Sequence, residues 1–171
     1  FLAVWVIGYG IVQAATPGVL RSRVEGQHEP DGRTATILAF VLAALPAGIA
    51  LGLTAGVAPS TVVVAGLIIF GAVFALNSAV HSYLILAYTD SDKVAMNVGF
   101  YYMANAAGRL AGTVLSGALY QWGLQSGPSN GLVACLWASS AFVFVAGLLS
   151  LLLPRHIGPR SKPIKLGDLG D

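Results

Sequence analysis

The sequence predicts an all-α integral membrane protein with five transmembrane helices, and three observations carry that reading. Of 171 residues, 56% are hydrophobic and 9% are charged, with a mean hydropathy of +0.78. A soluble domain carries about 25% charged residues, and nine basic plus seven acidic side chains are too few to cover a soluble fold of this size. The apolar residues come in five long runs, not in the alternating dyads of a barrel strand. The charged residues collect between alternate runs.

The runs are Phe1–Leu20, Thr34–Gly56, Thr61–Tyr88, Val94–Tyr120 and Asn130–Leu153. A hydrocarbon core about 30 Å thick needs ~20 helical residues, so each run is long enough to cross it. The third and fourth have length to spare for tilt. Pro46 inside the second run would break a soluble helix, but a membrane helix tolerates it when neighbours satisfy the freed carbonyl. Residues 1–153 therefore read as one helical unit, and residues 154–171, with Pro154, Pro159, Pro163 and several glycines, as a disordered tail. The chain opens at Phe1 within an apolar run and shows neither a basic leader region nor a cleavage site. It reads as part of a longer protein.

Charge placement supports the run count. Arg21, Arg23, Glu25, Glu29, Asp31 and Arg33 fall between runs one and two, and Asp90, Asp92 and Lys93 between runs three and four. Arg155, Arg160, Lys162, Lys165, Asp168 and Asp171 follow run five. The other connections, Val57–Ser60 and Gln121–Ser129, carry no charge. Five crossings put every charged connection and the C-terminus on one face, which the positive-inside rule makes cytoplasmic. The expected location is a cell (inner) membrane, multi-pass, with a cytoplasmic C-terminus and an external start.

The remaining charge is Arg109, in the middle of run four. At ~1.5 Å per residue it lies about 20 Å from the Lys93 end and about 17 Å from Tyr120. That is too deep to reach either interface, and a charge there costs about 2.5–3.5 kcal/mol on the insertion scale. No acidic residue occurs within the five runs. The expected counter-charge is a carbonyl, a group outside this chain, or an anionic ligand. With about 100° per residue, Asn97, Tyr101, Asn105, Arg109 and Tyr102 share one arc, opposite Phe100, Met103, Leu110 and Val114. Ala104, Gly108, Gly112 and Ser116 form an adjacent ridge of small residues of the kind that lets helices approach closely. The candidate substrate site is thus Arg109 with Asn105, Tyr101 and Tyr102, joined by Asn77 of run three.

Run three also holds His81, near Tyr88, Ser78 and Ser82. An imidazole there is a candidate for proton coupling, with hydrogen bonding to a neighbouring carbonyl as the structural alternative. Gln13 either lines the same cavity or bonds across helices. Trp5, Trp122 and Trp137 read as packing or interfacial residues, Trp122 belonging to the external aromatic belt. A single cysteine, Cys135, makes no disulfide framework and reads as a packing residue. The chain holds no HExxH, no GxSxG, no phosphate-cradling loop and no paired intramembrane carboxylates. Metal-ligand clustering is missing as well: His28, His81 and Cys135 lie on different segments. The expectation is a non-enzyme without cofactor or metal. Its scattered cations do not form a nucleic-acid patch.

The helix entered from Asp92-Lys93 and running VGFYYMANAAGRLAGTVLSGALYQ resembles the eleventh span of major facilitator superfamily transporters. The stretch from Asn77 to Gln121, NSAVHSYLILAYTDSDKVAMNVGFYYMANAAGRLAGTVLSGALYQ, is more specifically similar to the organoarsenical efflux permeases (ArsJ type). GYGIVQAATP near the start resembles that family's eighth span. The resemblance covers essentially the whole chain and implies spans eight to twelve of a twelve-helix transporter, the larger part of its C-terminal six-helix half. It also implies alternating access around a midplane site and the remaining N-terminal part as structural partner. The implied substrate is 1-arseno-3-phosphoglycerate, a small organoarsenical anion made from arsenate by a glyceraldehyde-3-phosphate dehydrogenase, which becomes a functional partner in arsenate resistance. The superfamily loop Gly-x-x-x-Asp-Arg/Lys-x-Gly-Arg/Lys is echoed only by Asp31-Gly32-Arg33. Two other classes fit the residues alone: a proton-coupled multidrug exporter of the same superfamily, and a non-transporting membrane scaffold. A buried acidic residue elsewhere would favour the first.

Overall fold

A computed structural model describes residues 2–24, 31–89 and 93–153. These form five helices and no strand: α1 (Leu2–Val24), α2 (Gly32–Thr54), α3 (Pro59–Ala87), α4 (Val94–Leu124) and α5 (Asn130–Ser150). Each coincides with one apolar run to within a few residues. The differences lie at the ends, some helices outlasting their run and α2, α3 and α5 stopping one to three residues short of theirs. α1 continues to Val24, past the end of the first apolar run. α4 runs on to Leu124, past Tyr120. α3 starts at Pro59, whose missing N–H costs nothing in a first turn, and the four-residue link from α2 shifts to Ala55–Ala58. Gly56, with φ +80, supplies the left-handed turn there. At the start of α2, Asp31 is extended and its Oδ1 accepts the Thr34 N–H at 3.0 Å, an N-cap. The tail read as disordered lies outside the described residues.

α2 is the centre of the bundle, and small residues make it so. The buried apolar residues are Ala35, Ala39, Leu42, Ala43, Ile49 and Ala50 on α2 and Ala75, Val80 and Leu84 on α3. α5 runs antiparallel to α2, tied by two hydroxyls: Thr36 Oγ1 donates to the Ser150 carbonyl (3.1 Å) and Ser140 Oγ to that of Ala43 (2.7 Å). Phe40 packs over Gly147 and meets Phe144 edge-on, with ring centroids 5.4 Å apart. Gly52 faces Val62 and Gly66 faces Ile49, so α2 and α3 are also antiparallel. α1 lies parallel to α3, with Trp5 against Leu67 and Gly71, Tyr9 stacked on Phe74, and Gln13 bonded to Ser78. α4 rests on the flank of α5 through the close approach of Gly123 to Gly131. These pairings put the end of α3, the starts of α2 and α4 and the end of α5 together, the side bearing Asp31, Arg33 and Lys93.

Among the described residues, α2, α3 and α5 are long and apolar enough to cross a membrane, with mean hydropathies of 2.3, 2.3 and 2.2 over their best windows. α4 is longer than any of them, yet Asn97, Asn105 and Arg109 dilute its apolarity. The apolar stretch of α1, Ala3–Thr16, is short. The exterior is correspondingly greasy. Val4, Leu110, Trp122 and Leu152 are all at least two-thirds exposed, an arrangement that water would penalise heavily and lipid does not.

Candidate polar path along α3 and α4

Arg109 projects from the middle of α4 and is exposed. Among the described residues its guanidinium meets no carboxylate and no hydrogen-bond acceptor. Its carbonyl takes a bond from Thr113 Oγ1 at 2.8 Å, an ordinary intrahelical back-bond. Asn105, one turn nearer Lys93, is exposed as well, as is Tyr102, whose ring lies edge-on to Tyr101 at 5.5 Å. The opposite arc is exposed too, Phe100 by 58% and Leu110 by 69%. α4 is therefore peripheral to the bundle, and its polar arc lies bare along its middle. The small-residue ridge is equally bare: nothing stands within 4 Å of a Cβ built on Gly108 or Gly112.

The structure brings together a different part of the sequence-derived set. His81 on α3 and Tyr101 on α4 line one open groove of about 490 Å³, together with the polar Tyr88, Thr89 and Asn97 and the apolar Leu84, Ile85, Phe100 and Leu153. Asn97 Nδ2 donates to Thr89 Oγ1 at 3.2 Å, and Thr89 Oγ1 donates to the Ile85 carbonyl at 2.5 Å. This relay joins α3 to α4. Thr89 carried no signal in the sequence, because a hydroxyl among the polar residues of a connection is unremarkable until the partner helix is placed. Asn97 is eight positions further on, and only the turn between them makes the pair.

Asn77 lies deeper on α3. Its Oδ1 is buried and has no hydrogen-bond partner, the only such side-chain atom among the described residues. Next to it, Ser78 accepts a bond from Gln13 Nε2 at 3.3 Å, so Gln13 bonds across helices. Counted at ~1.5 Å per residue from the shared end, His81 and Tyr101 share one level and Asn77 and Asn105 the next, with Arg109 a further ~6 Å along. The polar groups thus form a ladder that begins at the groove. The structure does not close Arg109, Asn105 and Asn77 into one pocket, since the middle of α4 stands away from α3.

Cys135 is half-buried and its Sγ–H reaches the Ser116 carbonyl on α4 at 3.2 Å, a packing contact between α5 and α4. Trp5 also packs, donating its indole N–H to the Leu67 carbonyl at 2.7 Å while its ring covers Gly71. Trp122 is 67% exposed near the uncharged end of α4. No group of three or more His, Cys, Asp or Glu side chains that could hold a metal ion occurs among the described residues. No family model, curated protein or solved structure matches the chain.

Proposed function

We infer that the chain is the greater part of one half of a membrane efflux transporter that exports a small organic anion by alternating access. The observation that carries this reading is Arg109. It is a fixed positive charge in the middle of a 31-residue helix, without an acidic partner among the described residues. Maintaining such a charge within a bilayer is costly, and a guanidinium binds phosphate- or carboxylate-type groups bidentately. Asn105 supplies a neutral donor one helical turn away, and Tyr101 and Tyr102 continue the polar arc toward the Lys93 end. The resemblance to organoarsenical permeases narrows the substrate to 1-arseno-3-phosphoglycerate and adds a glyceraldehyde-3-phosphate dehydrogenase as its source. On this reading the bare arc and small-residue ridge of α4 face the aqueous path and the remaining spans, and all five helices cross the membrane.

The test is arsenate resistance together with uptake of the arsenic ester into inside-out vesicles, using the intact transporter with Arg109→Gln or Arg109→Lys at matched membrane levels. Arg109→Gln should abolish export while inserting normally, because an uncharged residue is easier to insert. Arg109→Lys should remain impaired, since an ammonium lacks the planar fork. Wild-type transport by Arg109→Gln would reduce Arg109 to a structural residue satisfied by carbonyls. Loss of the protein from the membrane would indicate an ion pair with another part of the transporter.

A further inference from the structure

Asn77 on α3 has one sealed end and one open end. Its Oδ1 is buried without a hydrogen-bond partner. Its Nδ2 also lacks a partner among the described residues but is not sealed in that way. A sealed carbonyl oxygen without a donor is costly. Two donors close by are committed elsewhere: Gln13 Nε2 donates to Ser78 Oγ, and Ser82 Oγ to the Ser78 carbonyl. His81 is different. It stands four residues on, half-buried, with neither ring nitrogen bonded among the described residues. Residues at this spacing share a helix face, with Cβ atoms about 5–6 Å apart. Helical side chains tilt toward the N-terminus, so the tilt of His81 is toward Asn77. Rotation about its side-chain bonds exchanges the groove it lines for the carboxamide.

We propose that His81 is a positioning residue for Asn77: its ring N–H donates to Asn77 Oδ1 and leaves only the amide N–H groups to face the path toward Arg109. The bond itself follows from the two unpartnered groups; its use for an anion rests on the reading of the chain as an anion exporter. A free carboxamide offers an acceptor as readily as a pair of donors, and an acceptor turned toward an anion repels it. A bond that engages the oxygen removes that orientation. Asn77 then presents its two N–H groups one level beyond the groove, on the way to Arg109. His81 has two positions, one lining the groove and one bonded to Asn77, and only the second orders the amide. A neutral imidazole already carries one N–H, so the bond needs no change of charge.

The test labels the intact transporter with 15N-histidine and follows its ring N–H groups by NMR. The signals that vanish in His81→Gln identify His81. Asn77→Leu, which removes the acceptor, should speed exchange of the His81 ring proton with water about tenfold, the scale of one lost hydrogen bond. In inside-out vesicles, Asn77→Leu and His81→Phe should each raise KM for the arsenic ester by about three- to tenfold. The double variant should be no worse than either, because the two residues act as one. His81→Gln, whose amide N–H reaches the same oxygen, should recover most of what His81→Phe loses. A ring needed only for packing would be replaced better by phenylalanine. Unchanged proton exchange in Asn77→Leu, or KM effects that multiply in the double variant, overturns the proposal. Failure of the native protein to move the ester would sink the exporter reading instead, and the exchange measurement would still decide the bond.

Discussion

At the scale of single residues, two contacts show how a helix bundle with few polar groups is specified. Pro46 has no N–H to give the Leu42 carbonyl, and its ring loosens the preceding turn of α2. Ser140 sits across from this turn and donates to the neighbouring Ala43 carbonyl at 2.7 Å. Ser140→Ala should therefore destabilise the α2–α5 pair by about 0.6 kcal/mol, the average found for interhelical hydrogen bonds in a membrane bundle. Unfolding of the purified protein in mixed micelles reads this, and an unchanged midpoint would show that the bond contributes nothing. Gly71 is the second case. A Cβ there would stand 2.8 Å from Trp5 Nε1, so the indole occupies the space a side chain would need. Gly71→Leu should displace Trp5, break its bond to Leu67 and cost about 1–3 kcal/mol through overpacking. A red shift in the fluorescence of the half-buried Trp5 would report it. Pro46 was legible in the sequence as a tolerated break. The identity of Ser140 as the group beside it was not, since 94 positions separate them and no periodicity links the two.

At the scale of elements, the existence and order of the helices followed from apolar runs alone, because crossing length and apolarity are properties of a single segment. Helix neighbours are not. The pairing of α1 with α3 depends on Trp5, Tyr9 and Gln13 meeting Leu67, Phe74 and Ser78, and the pairing of α4 with α5 on a glycine contact. A Cβ on Gly123 would lie 2.6 Å from the Asn130 carbonyl oxygen, and one on Gly131 would lie 2.7 Å from that of Tyr120. Backbone cannot yield as a side-chain tip can. Gly123→Ala should thus separate the outer ends of α4 and α5 and lower the unfolding temperature, despite alanine's better helix propensity. An unchanged or raised temperature would place the glycine outside any close approach. The ridge at Gly108 and Gly112, so similar in sequence, meets no neighbour among the described residues. Small residues at a spacing of four mark a surface that permits close packing, and they do not say what packs there.

At the scale of the whole molecule, the alternation of charged and uncharged connections agrees with the antiparallel packing of α2 against α3 and α5 and of α4 against α5. The pairs Thr36 with Ser150, Gly52 with Val62 and Gly123 with Gly131 fix which helix ends lie together, and the ends bearing Asp31, Arg33 and Lys93 come out on one side. If all five helices cross the bilayer, the positive-inside rule puts that side in the cytoplasm and Ala55–Ala58 and Gln125–Ser129 outside. Ser60 and Ser129 are both exposed at the uncharged end. In a Cys135→Ala background, cysteines introduced at Ser60 and Ser129 should react with a membrane-impermeant maleimide added to intact cells. A cysteine at Ser161 should react only after the cells are opened. Labelling of Ser161 but not of Ser60 or Ser129 would invert the molecule. Labelling of Ser60 without Ser129 would mean that α4, the helix whose apolarity Arg109 interrupts, does not cross. That second outcome matters most for function, because the midplane position of Arg109 exists only if α4 spans the bilayer. An arginine on a helix lying outside the hydrocarbon carries no insertion cost and needs no anion to balance it.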